Sequence, residues 1–253
     1  MWRKNKVAVI FPTYREKFSI RQVINEFKHS GYVDEIIVVD NNAEPGTRAE
    51  VHKTHARLVY EARQGYGYAI RKGIESTNAD MIIVSEPDGS FDGKDVVKLL
   101  AYSDDFDTVF GSRTHVPLIH KGSDMTFIKR IGDVLLGKLV TILFLCSPLT
   151  DLGCTLKITN RKGWRQVASE ATSGDGIFAT EWVLLAAKNK VRFTEIPINF
   201  KSRVGESTVS GTTVKRVWWG IRKFFYIWRI WIYSCIGKGL ENRRVIPELV
   251  PRV

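Results

Sequence analysis

Two carboxylates stand two positions apart at the end of an apolar run in the first half of the chain. The run Asp80-Met-Ile-Ile-Val-Ser85 has strand-like composition and leads directly into Glu86, Pro87 and Asp88. In an extended backbone residues i and i+2 point to the same side, so the two carboxylates can converge just past the strand. Mg²⁺ and Mn²⁺ prefer oxygen ligands and are commonly held by one or two carboxylates together with substrate phosphates. The pair therefore predicts a divalent-cation site, with a solvated Pro-Asp-Gly turn as the alternative.

Three shorter apolar runs precede this segment, at residues 7–11, 35–40 and 57–60, and helical stretches are predicted at 19–29 and 68–76. Strands that alternate with helices indicate an α/β fold with a mostly parallel central sheet covered by helices on both faces. In such sheets ligands bind beyond the carboxyl ends of the strands. The polar clusters after these strands should therefore line one crevice: Pro12-Thr13-Tyr14, Asp40-Asn41, Gly65-Tyr66-Gly67 and Glu86-Pro87-Asp88.

The residue types of these clusters suit a nucleoside diphosphate. Asp40 can accept hydrogen bonds from a base or ribose, and glycines at 65 and 67 would let backbone N–H groups approach an anion ahead of a helix. A third glycine and a later acidic ribose partner are missing, which disfavours a dinucleotide site. No Gly-x-x-x-x-Gly-Lys-Ser/Thr motif occurs, which excludes a P-loop. For the glycine pair alone, an ordinary loop remains the alternative.

Taken together, the motifs resemble family 2 glycosyltransferases with the GT-A fold. Within that family they resemble the branch of dolichol-phosphate mannosyltransferases and related polyprenyl-phosphate glycosyltransferases. The resemblance extends over roughly residues 6 to 210 and is carried by the following segments: Val9-Ile-Phe-Pro12-Thr-Tyr14-Arg-Glu16, Ile36-Ile-Val-Val-Asp40, Gly65-Tyr-Gly67-Tyr-Ala69, Glu86-Pro-Asp88-Gly, Gly111-Ser-Arg113, Asp151-Leu-Gly153-Cys-Thr-Leu-Lys157 and Glu195-Ile-Pro197 through Arg203 to Ser207.

The resemblance implies roles for individual positions. Glu86 and Asp88 match the two acidic positions of the family's Asp-x-Asp metal motif, with glutamate replacing the first aspartate. Ser90 replaces a glutamine of some relatives. The implied contacts to the nucleotide sugar are at Pro12, Thr13, Tyr14, Glu16, Asp40, Gly65, Gly67 and Pro87. The implied catalytic residues are Asp88, Asp151, Arg113 and Arg203, and the acceptor phosphate is expected to contact Arg113 and Arg203, with Arg130 and Ser207 as weaker candidates.

The implied reaction moves a hexose, most simply mannose or glucose, from a GDP- or UDP-sugar to a polyprenyl phosphate with inversion. A lipid monophosphate has a second pKa of about 6 and is largely ionised at neutral pH, so it needs no strong base. Arginine binds phosphate with a planar fork that stays charged. With a hydroxyl acceptor instead, Asp151 would be the leading candidate base. A nucleotide-binding membrane adaptor without catalysis is the alternative of a different class.

The charge of the chain is concentrated at its end. Of the formal net charge of +11, residues 214–253 contribute nine Lys or Arg against two Glu. Plotted as a helix, residues 214–236 place Val217, Ile221, Phe224, Trp228, Ile232 and Cys235 on one face and Lys215, Arg216, Arg222, Lys223 and Arg229 on the other. This pattern predicts a helix in a bilayer interface, on its own or beside a membrane-protein partner, rather than a nucleic-acid site. The alternative is a helix packed on the catalytic domain.

These observations predict a GT-A catalytic domain at 1–204, a hinge at 205–213 and a basic amphipathic tail at 214–253. A further apolar stretch at 139–149 is too short to span a bilayer and predicts a core helix or a second interfacial element. The polar start, Met1-Trp-Arg-Lys-Asn-Lys6, is unlike a secretory signal, and the three cysteines show no paired spacing. The expected location is therefore the cytoplasm, with peripheral attachment to a membrane.

Overall fold

A seven-stranded sheet forms the centre of the molecule in the computed structural model, which describes residues 1–205 and 213–236. Its strands are β1 (Val7–Thr13), β2 (Glu35–Asp40), β3 (Arg57–Tyr60), β4 (Met81–Val84), β5 (Thr108–Ser112), β6 (Lys157–Asn160) and β7 (Phe193–Pro197). They lie in the order β3-β2-β1-β4-β6-β5-β7. Every neighbouring pair is parallel except that β6 runs antiparallel to both β4 and β5. The predicted mostly parallel sheet is confirmed.

Helices cover both faces of this sheet. They are α1 (Ile20–Lys28), α2 (Thr47–His52), α3 (Tyr66–Glu75), α4 (Asp95–Tyr102), α5 (Phe127–Phe144), α6 (Arg161–Ala168), α7 (Phe178–Lys188) and α8 (Thr213–Cys235), with a 3-10 turn at Val116–Leu118. One apolar core holds residues of α3, α5, α6, α7 and α8, and the other holds residues of α1, α2 and α4. Along β1, Ile10 belongs to the first core and Val9 and Phe11 to the second, as the alternation of a strand requires.

The register of the parallel strands brings their carboxyl ends to one edge. Thr13 at the end of β1 lies beside Asp40 at the end of β2, and Asp40 lies beside Tyr60 at the end of β3. All residues of β1 are buried, because a parallel sheet covered on both faces leaves its strands no solvated side. Polar residues that follow these strands therefore emerge together at the edge where the core ends.

Helix α8 packs on the apolar core through one side and exposes another. Ile227 and Ile230 are fully buried against α5 and α7, and the indole Nε1 of Trp231 donates to the carbonyl of Leu143 at 2.9 Å. On the predicted apolar face Val217 is 57% exposed, and Ile221, Phe224 and Ile232 are also exposed.

The segment is thus packed on the apolar core through one side, and the attachment of its exposed side to a bilayer interface stays a prediction. The division into three regions stays a prediction, and residues 206–212 and 237–253 lie outside the described part. Among the helices that the structure describes, none combines the length and apolarity needed to cross a membrane.

The apolar stretch at 139–149 is partly buried and partly exposed. Val140 and Phe144 of α5 are buried in the core, whereas Ile142 and Leu145 are exposed, Leu145 by 86%. Helix α5 ends at Phe144 because Leu145 takes a left-handed conformation with φ of 48°. The stretch is therefore a core helix with an exposed apolar edge.

A lysine lies inside this core beneath the carboxyl edge of the sheet. Lys157, the first residue of β6, is 1% exposed, and its Nζ donates to the carbonyl of Ala179 at 3.0 Å. The ammonium faces the rings of Phe110 and Trp182 at 4.9 and 5.9 Å. Burial disfavours the charged form and lowers the pKa of Lys157 to about 8.

Lys157 should make stability rise with pH in the alkaline range. Its pKa is lower in the folded than in the unfolded chain, so between about pH 8 and 10.5 the unfolded chain binds the extra proton and the native state gains stability as pH rises. We expect the free energy of unfolding of the wild type, minus that of Lys157→Met, to increase by about 3 kcal/mol across this range. Denaturant titrations at pH 7.5 and 10.5 measure it. A difference independent of pH would contradict the assignment.

Candidate active site

A cavity of about 470 Å³ opens at the carboxyl edge of the sheet. Most of the predicted site residues line it together: Pro12, Thr13, Tyr14, Glu16, Gly65, Glu86, Pro87, Asp88, Arg113 and Arg203. Helix α8 contributes Trp219 and Lys223 to its wall. The strand ends and the helix that follows the catalytic core therefore enclose one site.

The two carboxylates after β4 both contact one side chain, that of Arg203. The guanidinium of Arg203 forms an ion pair with Asp88 and lies 3.4 Å from Glu86 Oε2. Asp88 is buried, and Glu86 and Arg203 are largely enclosed. The i and i+2 spacing thus brings both carboxylates to the same spot, as the sequence predicts.

The loop that carries this pair is fixed by its own polar groups. Ser90 donates from its backbone N–H and its hydroxyl to Asp88 Oδ1, at 2.9 and 2.6 Å. Backbone N–H groups of Val204 and Lys201 donate to the carbonyls of Asp88 and Ser90, each at 2.8 Å. Ser19, just before α1, donates to the carbonyl of Pro87 at 2.7 Å. The backbone is thus held from three sides, and Ser90 orients Asp88.

The chemistry of this pair fits a divalent cation. Burial, followed by the charge of Asp88, raises the pKa of Glu86 to about 8, and a bound cation would favour the ionised form of this carboxyl. Within residues 1–205 and 213–236, His, Cys, Asp and Glu side chains form no group of three or more that could hold a metal unaided. Two carboxylates with a substrate diphosphate are the usual ligand set for Mg²⁺.

The residues that follow β1 form a self-supported loop. Glu16 Oε2 accepts hydrogen bonds from the Thr13 hydroxyl at 3.0 Å and from the N–H groups of Tyr14 and Arg15 at 2.7 and 2.9 Å. Burial is the largest influence on Glu16 and raises its pKa despite these donors. Glu16 therefore shapes the opening of the cavity as well as lining it.

At the end of β2, Asn41 lines the cavity and its neighbour Asp40, the residue predicted to contact the nucleotide, does not. Asp40 accepts from the N–H of Ala43 at 2.8 Å and pairs with Arg48, and it does not line the cavity. Asn41 does line it. The Asn41 amide donates to the carbonyls of Glu61 and Arg63 at 2.9 and 2.7 Å and accepts from the N–H of Gly65 at 2.7 Å. A base or ribose contact at Asp40 stays a prediction, whereas Asn41 joins the β2 end to the start of α3.

The two glycines at the start of α3 have a different role from the predicted one. The N–H of Gly65 is used by Asn41, and the N–H of Gly67 donates to the carbonyl of Gly174 at 2.8 Å. A Cβ at Gly65 would lie 2.3 Å from the Gly174 oxygen, and one at Gly67 would lie 2.1 Å from the Ser173 oxygen. The prediction that these N–H groups face an anion is wrong, because close packing against the 173–174 backbone uses them and requires glycine.

On the opposite side of the cavity Arg113 is held by a buried carboxylate. Its Nε and Nη2 donate to the two oxygens of Asp151 at 2.7 and 2.8 Å, and its backbone N–H adds a third bond at 3.1 Å. The guanidinium lies over the ring of Phe200 at 5.3 Å. Burial alone would raise the pKa of Asp151, but the charge and hydrogen bonds of Arg113 lower it well below its usual range. Asp151 therefore orients Arg113 and is a weak base.

Two lysines that the sequence reasoning missed face the same region. The side chains of Lys129 in α5 and Lys223 in α8 line the cavity and are 18% and 17% exposed. Their Nζ atoms lie 3.1 Å from Asp124 and 3.5 Å from Asp133. The predicted Arg130 does not line the cavity; its guanidinium lies over the ring of Phe127. Helical geometry turns position 129 inward, and Ser207 lies outside the described residues.

This sheet order and the cavity at its carboxyl edge define an α/β fold of the GT-A type. Residues 8–122 match the family model "Glycosyl transferase family 2".

Curated relatives are glycosyltransferases of archaea and mycobacteria. The low-salt glycan biosynthesis hexosyltransferase Agl6 of Haloferax volcanii is 26% identical over 80% of this chain, and glycosyltransferase AglJ of the same organism is 24% identical over 78%. An uncharacterized glycosyltransferase of Mycobacterium bovis is 29% identical over 81% of this chain and 90% of its own length. The chain spans 49% of the length of Agl6 and 63% of that of AglJ.

Solved structures share the fold. Glucosyl-3-phosphoglycerate synthase from Mycobacterium tuberculosis in complex with Mg²⁺ and UDP superposes with a TM-score of 0.65 at 12% identity, covering 93% of this chain and 80% of that one. The same enzyme with Mn²⁺, UDP and glucosyl-3-phosphoglycerate gives a TM-score of 0.64 at 13% identity, with the same shares of the two chains covered. The predicted GT-A fold is confirmed.

The packing role of the glycines is testable with two alanine substitutions in helices. Gly67→Ala places a Cβ against the Ser173 carbonyl, and we expect it to lower the free energy of unfolding by about 1–3 kcal/mol. Gly132→Ala in α5 is the matched control, since no atom lies within 4 Å of its Cβ position, and helix propensity should raise stability by up to about 1 kcal/mol. Denaturant unfolding measures both. Equal effects of the two substitutions would refute the packing role.

Proposed function

We propose that the protein is an inverting, metal-dependent glycosyltransferase that moves a hexose from a GDP- or UDP-sugar to a polyprenyl phosphate at a membrane surface. The observation that carries this proposal is the division of charge within one cavity. Glu86 and Asp88, with Arg203 bound to both, are called the acidic side, and Arg113, Lys129 and Lys223, each paired with an aspartate, are called the cationic side. An anionic donor bound through a metal and an anionic acceptor bound by side chains would each find a matching surface.

The acidic side suits the donor. Glu86 and Asp88 would hold Mg²⁺ or Mn²⁺ together with the donor diphosphate, because both carboxylates meet at one point of the cavity lining. The metal would neutralise the charge that develops on the leaving diphosphate. Both ions occur together with UDP in the similar glucosyl-3-phosphoglycerate synthase structures. Arg203, which contacts both carboxylates, lies where it can also meet phosphate oxygens.

The cationic side suits an acceptor that is already ionised. Arg113 is oriented by its two-pronged contact with Asp151, and an oriented guanidinium binds phosphate with little further ordering. Lys129 and Lys223 add two point charges near it.

A hydroxyl acceptor would need a base, and the low pKa of Asp151 makes this residue unsuited to that task. A phosphate acceptor needs none, so the geometry favours it over the saccharide alternative.

The surface formed by α5 and α8 supports membrane attachment. The two helices pack together, and each exposes large apolar side chains. These are Phe127, Ile128, Ile131, Leu135, Ile142 and Leu145 from α5 and its end, and Val214, Val217, Trp218, Ile221, Phe224, Phe225 and Ile232 from α8. Because Lys129 and Lys223 belong to the same helices, this surface would bring a lipid phosphate beside the cavity. The free cysteines at 146, 154 and 235 fit the proposed cytoplasmic side.

A transfer assay with the full chain tests the proposal. We expect Mg²⁺ or Mn²⁺, a polyprenyl phosphate and a panel of labelled GDP- and UDP-hexoses to yield label in an organic-extractable lipid, because the cationic side matches a phosphate. Label on a saccharide acceptor instead would establish the hydroxyl alternative. Metal-dependent nucleotide binding without transfer from any donor would establish the adaptor.

Asp88→Asn gives the same assay a mechanistic control. It removes one charge from the pair, and we expect metal-dependent transfer to fall roughly 10²- to 10³-fold, in line with the several kcal/mol that a catalytic metal supplies. Asp80→Asn is the matched control at the opposite end of β4, where the carboxylate accepts a hydrogen bond from the N–H of Lys6. Full transfer by Asp88→Asn would overturn the metal role.

Membrane attachment is tested by vesicle co-sedimentation. We expect the protein to bind vesicles of phosphatidylcholine with an anionic phospholipid, and the double variant Trp218→Ala/Phe225→Ala to bind at least about 10-fold more weakly, because both side chains are exposed on α8. Phe18→Ala removes an aromatic that is 81% exposed elsewhere and should leave binding unchanged. Equal loss in both would argue against a specific surface.

A further inference from the structure

Two hydroxyl groups in the cavity wall are buried without a hydrogen-bond partner among the described residues. They are Tyr66 Oη and Thr155 Oγ1. Leaving such a group unpaired costs about 1–3 kcal/mol, and most buried polar groups in native proteins avoid it. Other unpaired buried atoms, such as Thr180 Oγ1 and Trp182 Nε1, do not belong to the cavity lining. The two wall hydroxyls are therefore candidates for contacts with a ligand.

Each hydroxyl is placed by an element that already serves the site. Tyr66 is the first residue of α3, follows the Gly65 that Asn41 holds, and packs edge-to-face on Phe178 at 6.4 Å. Thr155 is 8% exposed and precedes β6, in the segment that begins with Asp151. Neither position depends on a loop that is free to move away, since α3 and β6 are anchored in the core.

Tyr66 belongs to the same cavity lining as Glu86 and Asp88 on the acidic side and Arg113 on the cationic side. Burial raises the pKa of Tyr66 well above its ordinary value, so the hydroxyl keeps its proton at neutral pH and can both donate and accept. In a transferase the group between the leaving diphosphate and the attacking phosphate is the transferred sugar.

We propose that Tyr66 and Thr155 bind hydroxyl groups of the transferred hexose and set the selectivity for the donor sugar. This inference rests on the proposed function. Neutral hydroxyls both donate and accept, which matches the hydroxyls of a sugar, whereas the diphosphate is served by the metal and the cationic side chains. A site that hydrogen-bonds a substrate hydroxyl rejects analogues that present it differently, because its own polar groups are then left unpaired.

The test compares nucleotide sugars with the free nucleotide in the full chain. Tyr66→Phe and Thr155→Val each remove one hydroxyl and keep the shape of the side chain. With Mn²⁺ present, calorimetry should show a Kd for UDP or GDP that stays near the wild-type value and a Kd for the preferred nucleotide sugar that rises roughly 3- to 10-fold. Discrimination in kcat/KM between hexose epimers should shrink by a similar factor.

Two substitutions serve as matched controls. Thr180→Val removes a buried unpaired hydroxyl outside the cavity lining, and Tyr68→Phe removes a hydroxyl two positions along α3. We expect both to bind nucleotide sugars as the wild type does. Because the wall hydroxyls have no hydrogen-bond partner within residues 1–205 and 213–236, Tyr66→Phe and Thr155→Val should also unfold at denaturant concentrations no lower than the wild type.

The possible results separate this inference from the proposed function. Unchanged affinity and epimer discrimination in both variants overturn the sugar contact alone. If the variants lose as much affinity for free UDP or GDP as for the nucleotide sugar, the hydroxyls contact the nucleotide. That result also overturns the proposed sugar contact. A wild-type protein that binds no nucleotide with metal and transfers from no donor refutes the proposed function, and this inference falls with it.

Discussion

Two neighbouring carboxylates repel each other when they are removed from water. In the folded chain Glu86 and Asp88 stay close together because one cationic group contacts both of them. Here that cation is the guanidinium of Arg203. The same residue lies in the segment whose N–H groups bind the carbonyls of Asp88 and Ser90, so charge neutralisation and loop position are coupled. A metal that takes the same carboxylate oxygens must displace the guanidinium, which leaves an arginine at the boundary between the two sides of the cavity.

The second ion pair, Arg113 with Asp151, holds its guanidinium in one fixed orientation. Two hydrogen bonds and near-complete burial fix the guanidinium, and the backbone N–H of Arg113 donates a third bond to Asp151. Glu195 in turn accepts from the N–H groups of Thr150 and Asp151 at 2.7 and 2.8 Å. An arginine held in this way cannot follow a moving ligand, but it presents one orientation of its fork at little entropic cost. The cavity thus combines one exchangeable ion pair with one fixed ion pair.

The sequence predicted the first strands and the polar residues after them, because a buried parallel strand is a nearly continuous apolar run that stops where the core stops. It did not predict Lys129 or Lys223, and it placed Asn41 in the crevice without a role of its own. The two lysines reach the cavity only through the packing of α5 and α8, a contact between segments about ninety residues apart. Asn41 owes its role to backbone groups of a different loop.

The sequence indicated that the glycines at 65 and 67 belong near the site, but it did not indicate why glycine is required at these positions. It lies in the backbone at 173–174, more than a hundred residues away. Residue types near strand ends can be read from local pattern, whereas the partners that give them their roles depend on long-range packing.

The segment at 173–174 has a mechanical consequence. Its carbonyl at Gly174 binds the N–H of Gly67 at the head of α3, while Ser173 and its partner Glu181 bind the hydroxyl of Tyr226 in α8. The backbone at 173–174 and the side chains of Ser173 and Glu181 therefore join α8, with its exposed apolar side, to α3, which begins at the cavity. A displacement of α8 would act on the head of α3 through this connection, as well as on α5 and α7, which pack against the same helix.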